Sequence, residues 1–178
     1  LIKKYLPQKI WTLAPLAYLS LTSIFFLSFL EDYFLLSPFK SAKEMLYGNL
    51  EAAYWLRENS VDKTEIVISK SLSEPHIYVA FANKWDPKDY QKQIKEWSVY
   101  REKNLLFIDQ LSEYKLGKYT FRGINYSSDQ GMAEALLVGK PEEFPVDVQV
   151  VRQFNYLSGT PAVVIVQPRK DAYALKNY

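Results

Sequence analysis

The chain has 178 residues with 22 basic and 20 acidic side chains, and a net charge of +2 leaves no basic face of the strength that nucleic-acid binding requires. It is 48% hydrophobic and 16% aromatic, enough apolar material to fill a core, which excludes a disordered chain. With no cysteine, disulfides, thiolate metal sites and cysteine nucleophiles are excluded together.

The first residue is Leu1, not Met, and the true N-terminus is expected upstream. Ile10 to Leu30 (IWTLAPLAYLSLTSIFFLSFL) carries no charged side chain. Its 21 residues would make a helix of roughly 31 Å, matching the ~30 Å hydrocarbon layer of a bilayer. An amphipathic helix of a soluble domain would show a polar face instead. Pro15 is expected to kink the helix or mark its first turn, and Trp11 and Tyr33 stand where interfacial aromatics sit. Lys3, Lys4 and Lys9 precede the run, so the positive-inside rule places the N-terminal side in the cytoplasm and the rest outside. A signal peptide would have a shorter apolar core and a small-residue cleavage site. A buried core helix, or the single anchor of a one-pass protein, would look much the same locally.

The expected organisation is therefore a last transmembrane helix with its cytoplasmic flank (1–33), a short linker (34–40), an extracytoplasmic α/β domain (41–170) and a tail (171–178). Phe34 to Phe39 reads as an apolar exit ending in a proline turn. Ser41-x-x-Glu44 has the form of a capping box opening an amphipathic helix to about Asn59, with Gly48 in its interior. Glu65 to Lys70 reads as a short buried strand; His76 to Asn83 fits either a strand or a short helix, with the helix preferred because Pro75 suits a first helical turn. Asp86-Pro87 is a second helix start, with Tyr90, Ile94 and Trp97 on one face. Beyond Tyr100 the chain reads as strands at Leu105–Ile108, Tyr119–Ile124, Ala135–Val138, Val148–Phe154 and Ala162–Val166, the last two joined by the hairpin loop Asn155–Pro161. The order predicts an α/β fold with a mixed sheet of five or six strands.

Chemistry-bearing motifs are scarce. His76 is the only histidine and is expected to pack or lie at the surface; no G-x-S-x-G elbow, P-loop or G-x-G-x-x-G is present. Glu142-Glu143 and Glu31-Asp32 read as solvated pairs. Glu74 follows a strand end, the place where α/β sheets hold binding residues, although a cap for the next helix explains it more simply. Asn125-Tyr126-Ser127 is a glycosylation sequon, meaningful only in an ER lumen.

Three stretches, in order after the apolar helix, carry a resemblance: Tyr47-Gly48 with Glu51-Ala52-Ala53 and Leu56; Ile66–Ser69 running into Glu74-Pro75-His76-Ile77-Tyr78-Val79-Ala80-Phe81; and Trp85-Asp86-Pro87 with Tyr90-Gln91. Together they resemble the C-terminal region of bacterial membrane proteins of the dolichyl-phosphate-mannose–protein mannosyltransferase family, in the GT-C superfamily, over roughly Leu19 to Pro168. The resemblance implies a parent that passes a sugar from a polyprenyl-phosphate carrier to a protein or glycolipid acceptor on the outer face of the cell membrane. It puts the catalytic acid and any divalent-cation site of such a parent in the first extracytoplasmic loop, to which nothing here corresponds. No catalytic residue, metal ligand or cofactor of this segment follows from it. The domain would cover the membrane cavity or aid acceptor recognition, with Glu74, Tyr78, Asp86 and Tyr90 as the residues facing that site. Two other expectations stand beside it: a single-pass anchored binding or sensor domain, and an anchored hydrolase, which would need two carboxylates converging in a pocket, about 5 to 9.5 Å apart if it cleaved glycosidic bonds.

Overall fold

The computed structural model describes residues 8–97, 99–132 and 134–168, with side chains from residue 13 onward. The flanking Lys3 and Lys4 and the 171–178 tail lie outside the described residues. The chain divides into two compact units, 1–42 and 43–178.

The first unit is helical throughout its described part. Helix α1 (Gln8–Glu31) runs through Pro15 without interruption. A wide π-helical turn, Asp32–Leu36, follows, and then α2 (Ser37–Ser41). The stretch Leu13–Ser41 is long and apolar enough to cross a membrane, and its most apolar window buries none of its side chains. The expected proline turn at residues 34–39 does not form. The Ser37 N–H instead donates to the Asp32 carbonyl five residues back, and Pro38 then occupies a first-turn position, where a missing N–H leaves no bond unmade. Lys40 Nζ reaches back to Asp32 Oδ1 at 2.7 Å across this turn.

The second unit is a mixed six-stranded sheet in the order β2-β3-β1-β4-β6-β5. Its chain order is α3 (Asn49–Asn59), β1 (Ile66–Ser69), α4 (Pro75–Ala82), α5 (Pro87–Trp97), α6 (Val99–Glu102), β2 (Glu113–Leu116), β3 (Tyr119–Arg122), α7 (Tyr126–Asp129), β4 (Leu136–Gly139), β5 (Val150–Asn155) and β6 (Pro161–Val166). β1 pairs parallel with both β3 and β4; the other pairings are antiparallel. The central strands read as unbroken apolar runs because both faces are buried. Ile66, Ile68, Leu136, Val138, Val163 and Ile165 face one core, shared with Leu56, Val79 and Trp97 from the helices. Their alternates Val67, Leu137, Val164 and Val166 face a smaller core closed by Ile124, Tyr126, Met132, Phe144 and Val148.

Several local expectations hold. Pro75 opens α4, and the Asp86 carboxylate accepts the Lys88 N–H at 2.7 Å to cap α5. Tyr90, Ile94 and Trp97 pack on the main core. The β5–β6 hairpin closes through Tyr156 N–H to the Thr160 carbonyl at 2.8 Å.

Three further expectations are corrected. Ser41 ends a helix and heads no capping box; residues 42–48 form turns, and α3 begins only at Asn49. Gly48 is therefore the N-cap residue, with φ +95°, and not a helix-interior position. Leu105–Ile108 is no strand. Gln110 Oε1 accepts the N–H of Leu106 at 2.7 Å, which folds the segment into a turn, and Leu106 and Phe107 stay 77% and 62% exposed. The strand in this region is β2, where only Tyr114 and Leu116 alternate inward.

Candidate functional site

The sheet order decides where a site can be built. β1 has a parallel neighbour on each side; the chain passes from β1 to β3 on one flank, then crosses over to β4 on the other. Connections that leave in opposite directions open a crevice beyond the carboxyl ends of the strands, and open α/β sheets bind ligands there. In this domain a cavity of about 430 Å³ lies at that position. That volume sits within the roughly 300–1,000 Å³ range of small-molecule sites.

Each wall comes from a separate piece of chain. Leu72 and Ser73 follow β1, and Lys140 follows β4. Tyr156 and Ala162 come from the β5–β6 hairpin, whose antiparallel register returns it to the same edge. The fourth wall is the approach to α3, from Lys43 through Tyr47 to Asn49. Lys43, Glu44 and Lys140 form no ion pair among the described residues.

Asn49 is the fixed point of the cavity. It is 6% exposed, and its Nδ2 donates to the Leu72 carbonyl at 2.7 Å. A carbonyl can only accept, so this contact assigns the amide orientation and leaves Oδ1 as the free end. Oδ1 meets no partner among the described residues, and since no fully buried side-chain oxygen is left unpaired it keeps some contact with open space; Asn49 lines both this cavity and a smaller one between α3 and α4.

The backbone around the cavity is held in unusual conformations. Leu46 (φ +54°) and Ser73 (φ +52°) line it, and Glu74 (φ +45°) follows directly. Positive φ in residues with a Cβ costs about 1–3 kcal/mol each and persists only where the surroundings over-determine it. Gly48 supplies the fourth such position, and the Cβ it lacks would stand 3.3 Å from Ala162 Cβ.

Glu143, expected to be solvated, is instead the brace of the Lys140 wall. Its carboxylate accepts from Ser69 Oγ at 2.5 Å, Ser71 Oγ at 2.8 Å and the Lys140 N–H at 2.8 Å. It thus ties the end of β1 to the turn after β4. Gly139 makes room for it, since a Cβ there would fall 2.6 Å from Glu143 Oε2.

The four residues expected at a site are placed elsewhere, and none lines this cavity. Glu74 and Tyr90 come near each other: burial raises the Tyr90 phenol pKa above its ordinary value, and the Glu74 charge adds to the rise. Tyr78 is half-buried beside a cavity of about 10 Å³ between α3 and α4. Asp86 is exposed and caps α5. His76 is buried, shares a hydrogen bond with Tyr114 Oη at 3.1 Å and sits edge-on to Trp97, a packing role. Among the described residues no group of three or more His, Asp or Glu side chains is arranged to hold a metal ion.

Sequence reasoning did not single out Lys43, Asn49, Lys140 or Tyr156, because they meet only through the strand crossover. The one local signal was Gly48, an isolated glycine whose close approach to another segment the structure identifies as Ala162.

Comparison with protein-family models, with curated proteins and with solved structures finds no match to this chain.

Proposed function

We propose that this chain is the extracytoplasmic C-terminal part of a polyprenyl-phosphate-sugar-dependent membrane glycosyltransferase, a domain that is non-catalytic by itself and serves acceptor recognition. The supporting observation is a helical segment, Leu13–Ser41, that is apolar and unburied, followed within two residues by a domain whose switch-point cavity opens its lining at Lys43. A chain spans at most ~3.5 Å per residue, so Lys43 lies within roughly 7 Å of chain from Ser41. An α1 seated in a bilayer would therefore keep Lys43 near the headgroups, where a lipid-linked sugar presents its phosphate. In this reading the sugar-transfer chemistry, with its carboxylate and any divalent cation, belongs to the first outside loop of the parent.

Absence of cysteine makes the topology directly testable. Ser158→Cys, at the exposed tip of the β5–β6 hairpin, is expected to react with a membrane-impermeant maleimide in intact cells, and the protein to stay in the membrane pellet after alkaline carbonate extraction. Labelling only after lysis, or recovery in the supernatant, would sink the proposal. A single-pass binding or sensor domain passes the same labelling test. It is separated by the upstream reading frame, where a glycosyltransferase of this class carries several further apolar helices and an acidic residue in its first outside loop.

A further inference from the structure

We propose that the switch-point cavity is a saccharide subsite that takes one ring of a neutral glycan. The inference rests on the acceptor-recognition reading above and goes beyond it by naming the ligand chemistry. The polar groups of the cavity are mixed in kind. Among the residues that line it, Glu44 carries a carboxylate that only accepts hydrogen bonds and Asn49 an amide oxygen that does the same; Lys43 and Lys140 carry ammonium groups that only donate, and Tyr47 and Tyr156 carry hydroxyls that do both. A phosphate or carboxylate ligand needs donors alone, and the Glu44 carboxylate would meet it with like charge. An organic cation meets the opposite conflict at the two lysines. A ring bearing several hydroxyls, each able to donate and accept, satisfies both sets without a buried mismatch.

The two tyrosines supply the remaining part of sugar recognition. Each has an apolar ring face able to cover the C–H face of a pyranose and a hydroxyl left for hydrogen bonding. Tyr156 is anchored, its ring packed against the main core, whereas Tyr47 is 36% exposed and able to close over a ligand. The frame is pre-set: Asn49 is pinned to Leu72, and Glu143 pins the turn that carries Lys140. Binding thus orders few groups, which is what a small polar ligand with little apolar area requires.

The test is saturation-transfer NMR on the full chain in nanodiscs, with methyl α-mannoside, methyl β-glucoside and methyl N-acetyl-β-glucosaminide as probes and inorganic phosphate as competitor. At least one glycoside is expected to receive saturation at its ring C–H protons. The transfer should fall by about fivefold or more in Tyr47→Ala, the order expected for a lost aromatic contact. Glu44→Gln, at an exposed position, should weaken it too, with thermal unfolding unchanged in both variants. No transfer to any of the three, equal transfer in a folded Tyr47→Ala, or displacement by phosphate would each overturn the saccharide assignment. Those failures are distinct from failure of the accessory-domain reading, which the maleimide experiment decides whatever the cavity binds.

Discussion

Replacing Gly48 by alanine should destabilise the domain by about 2–3 kcal/mol, from two sources. At φ +95° the backbone occupies a region where a Cβ costs ~1–2 kcal/mol. The new methyl would also stand 3.3 Å from Ala162 Cβ, 3.4 Å from Val163 Cγ2 and 3.6 Å from Phe154 Cβ. Ala162 and Val163 are fully packed strand residues with little freedom to retreat, so overpacking adds roughly 1 kcal/mol. Thermal unfolding of the full chain in detergent should show Tm lowered by roughly 5–10 °C. Gly123→Ala is the control, because no heavy atom lies within 4 Å of its added Cβ; it should stay within about 0.5 kcal/mol. The sign of the Gly48 result is decisive. A glycine inside a helix would gain ~0.5–1 kcal/mol on becoming alanine, so an unchanged or raised Tm would refute the N-cap geometry and the contact with β6.

Other perturbations have equally definite outcomes. Arg122 holds Asp129 through two bonds of 2.9 Å, and Asp129 is only 5% exposed, so Arg122→Met should cost on the order of 3 kcal/mol by stranding a buried carboxylate. Adding Asp129→Leu to that variant should recover most of the loss in urea unfolding. Burial raises the Tyr119 phenol pKa above its ordinary value of 10.0. The native state then keeps its proton longer than the unfolded chain, so stability falls as pH rises from the unfolded value through the folded one. Tyr119→Phe should flatten that alkaline decline, as followed by the urea midpoint between pH 8 and pH 11, roughly one unit and more either side of the reference tyrosine value. Glu143→Ala removes the acceptor of three donors, one of them the 1%-exposed Ser69 hydroxyl, and should cost about 2 kcal/mol. It should also speed amide exchange at Lys140 more than at Val164 on the far side of β4.

Local chemistry made most elements legible. The pair Asp86-Pro87 announces α5 because cap and first turn lie in adjacent residues; α4 has only the first-turn Pro75, with no side-chain cap from Glu74, which is why its apolar run also fits a strand. β1, β4 and β6 are apolar on both faces, so their runs stand out without any alternation to detect. β2 went unseen for the complementary reason. Glu113 and Lys115 face outward between Tyr114 and Leu116, and four residues of alternation among charges look like a loop. Leu105–Ile108 was misread because strand propensity only counts when a neighbouring strand is there to pair; Gln110 supplies the partner for the Leu106 N–H instead. At Ser41 the capping-box spacing was present, but the π turn carries helix through to that residue and spends it as a terminus.

The site was legible only in principle, not in residues. The strand-end rule points to the loop after β1, and in that loop Ser73 lines the cavity while its neighbour Glu74 lies near Tyr90. One residue's difference in direction comes from consecutive positive-φ positions, which no propensity foretells. The other walls stand at Lys43 to Asn49, Lys140, and Tyr156 to Ala162, so more than a hundred residues separate groups that share one ligand-sized space. Their convergence depends on β4 lying between β1 and β6, a fact of sheet order. A motif encodes a site only when one turn of chain builds it, as a phosphate loop does; a switch-point crevice is assembled by several strands, and its residues become related only after the crossover is known. The same dependence makes the cavity sensitive to changes far from it in sequence. Gly48→Ala acts on the contact between the start of α3 and Ala162, a residue of the cavity wall, so it should alter the cavity as well as stability, whereas Arg122→Met should destabilise the fold at residues that do not line it.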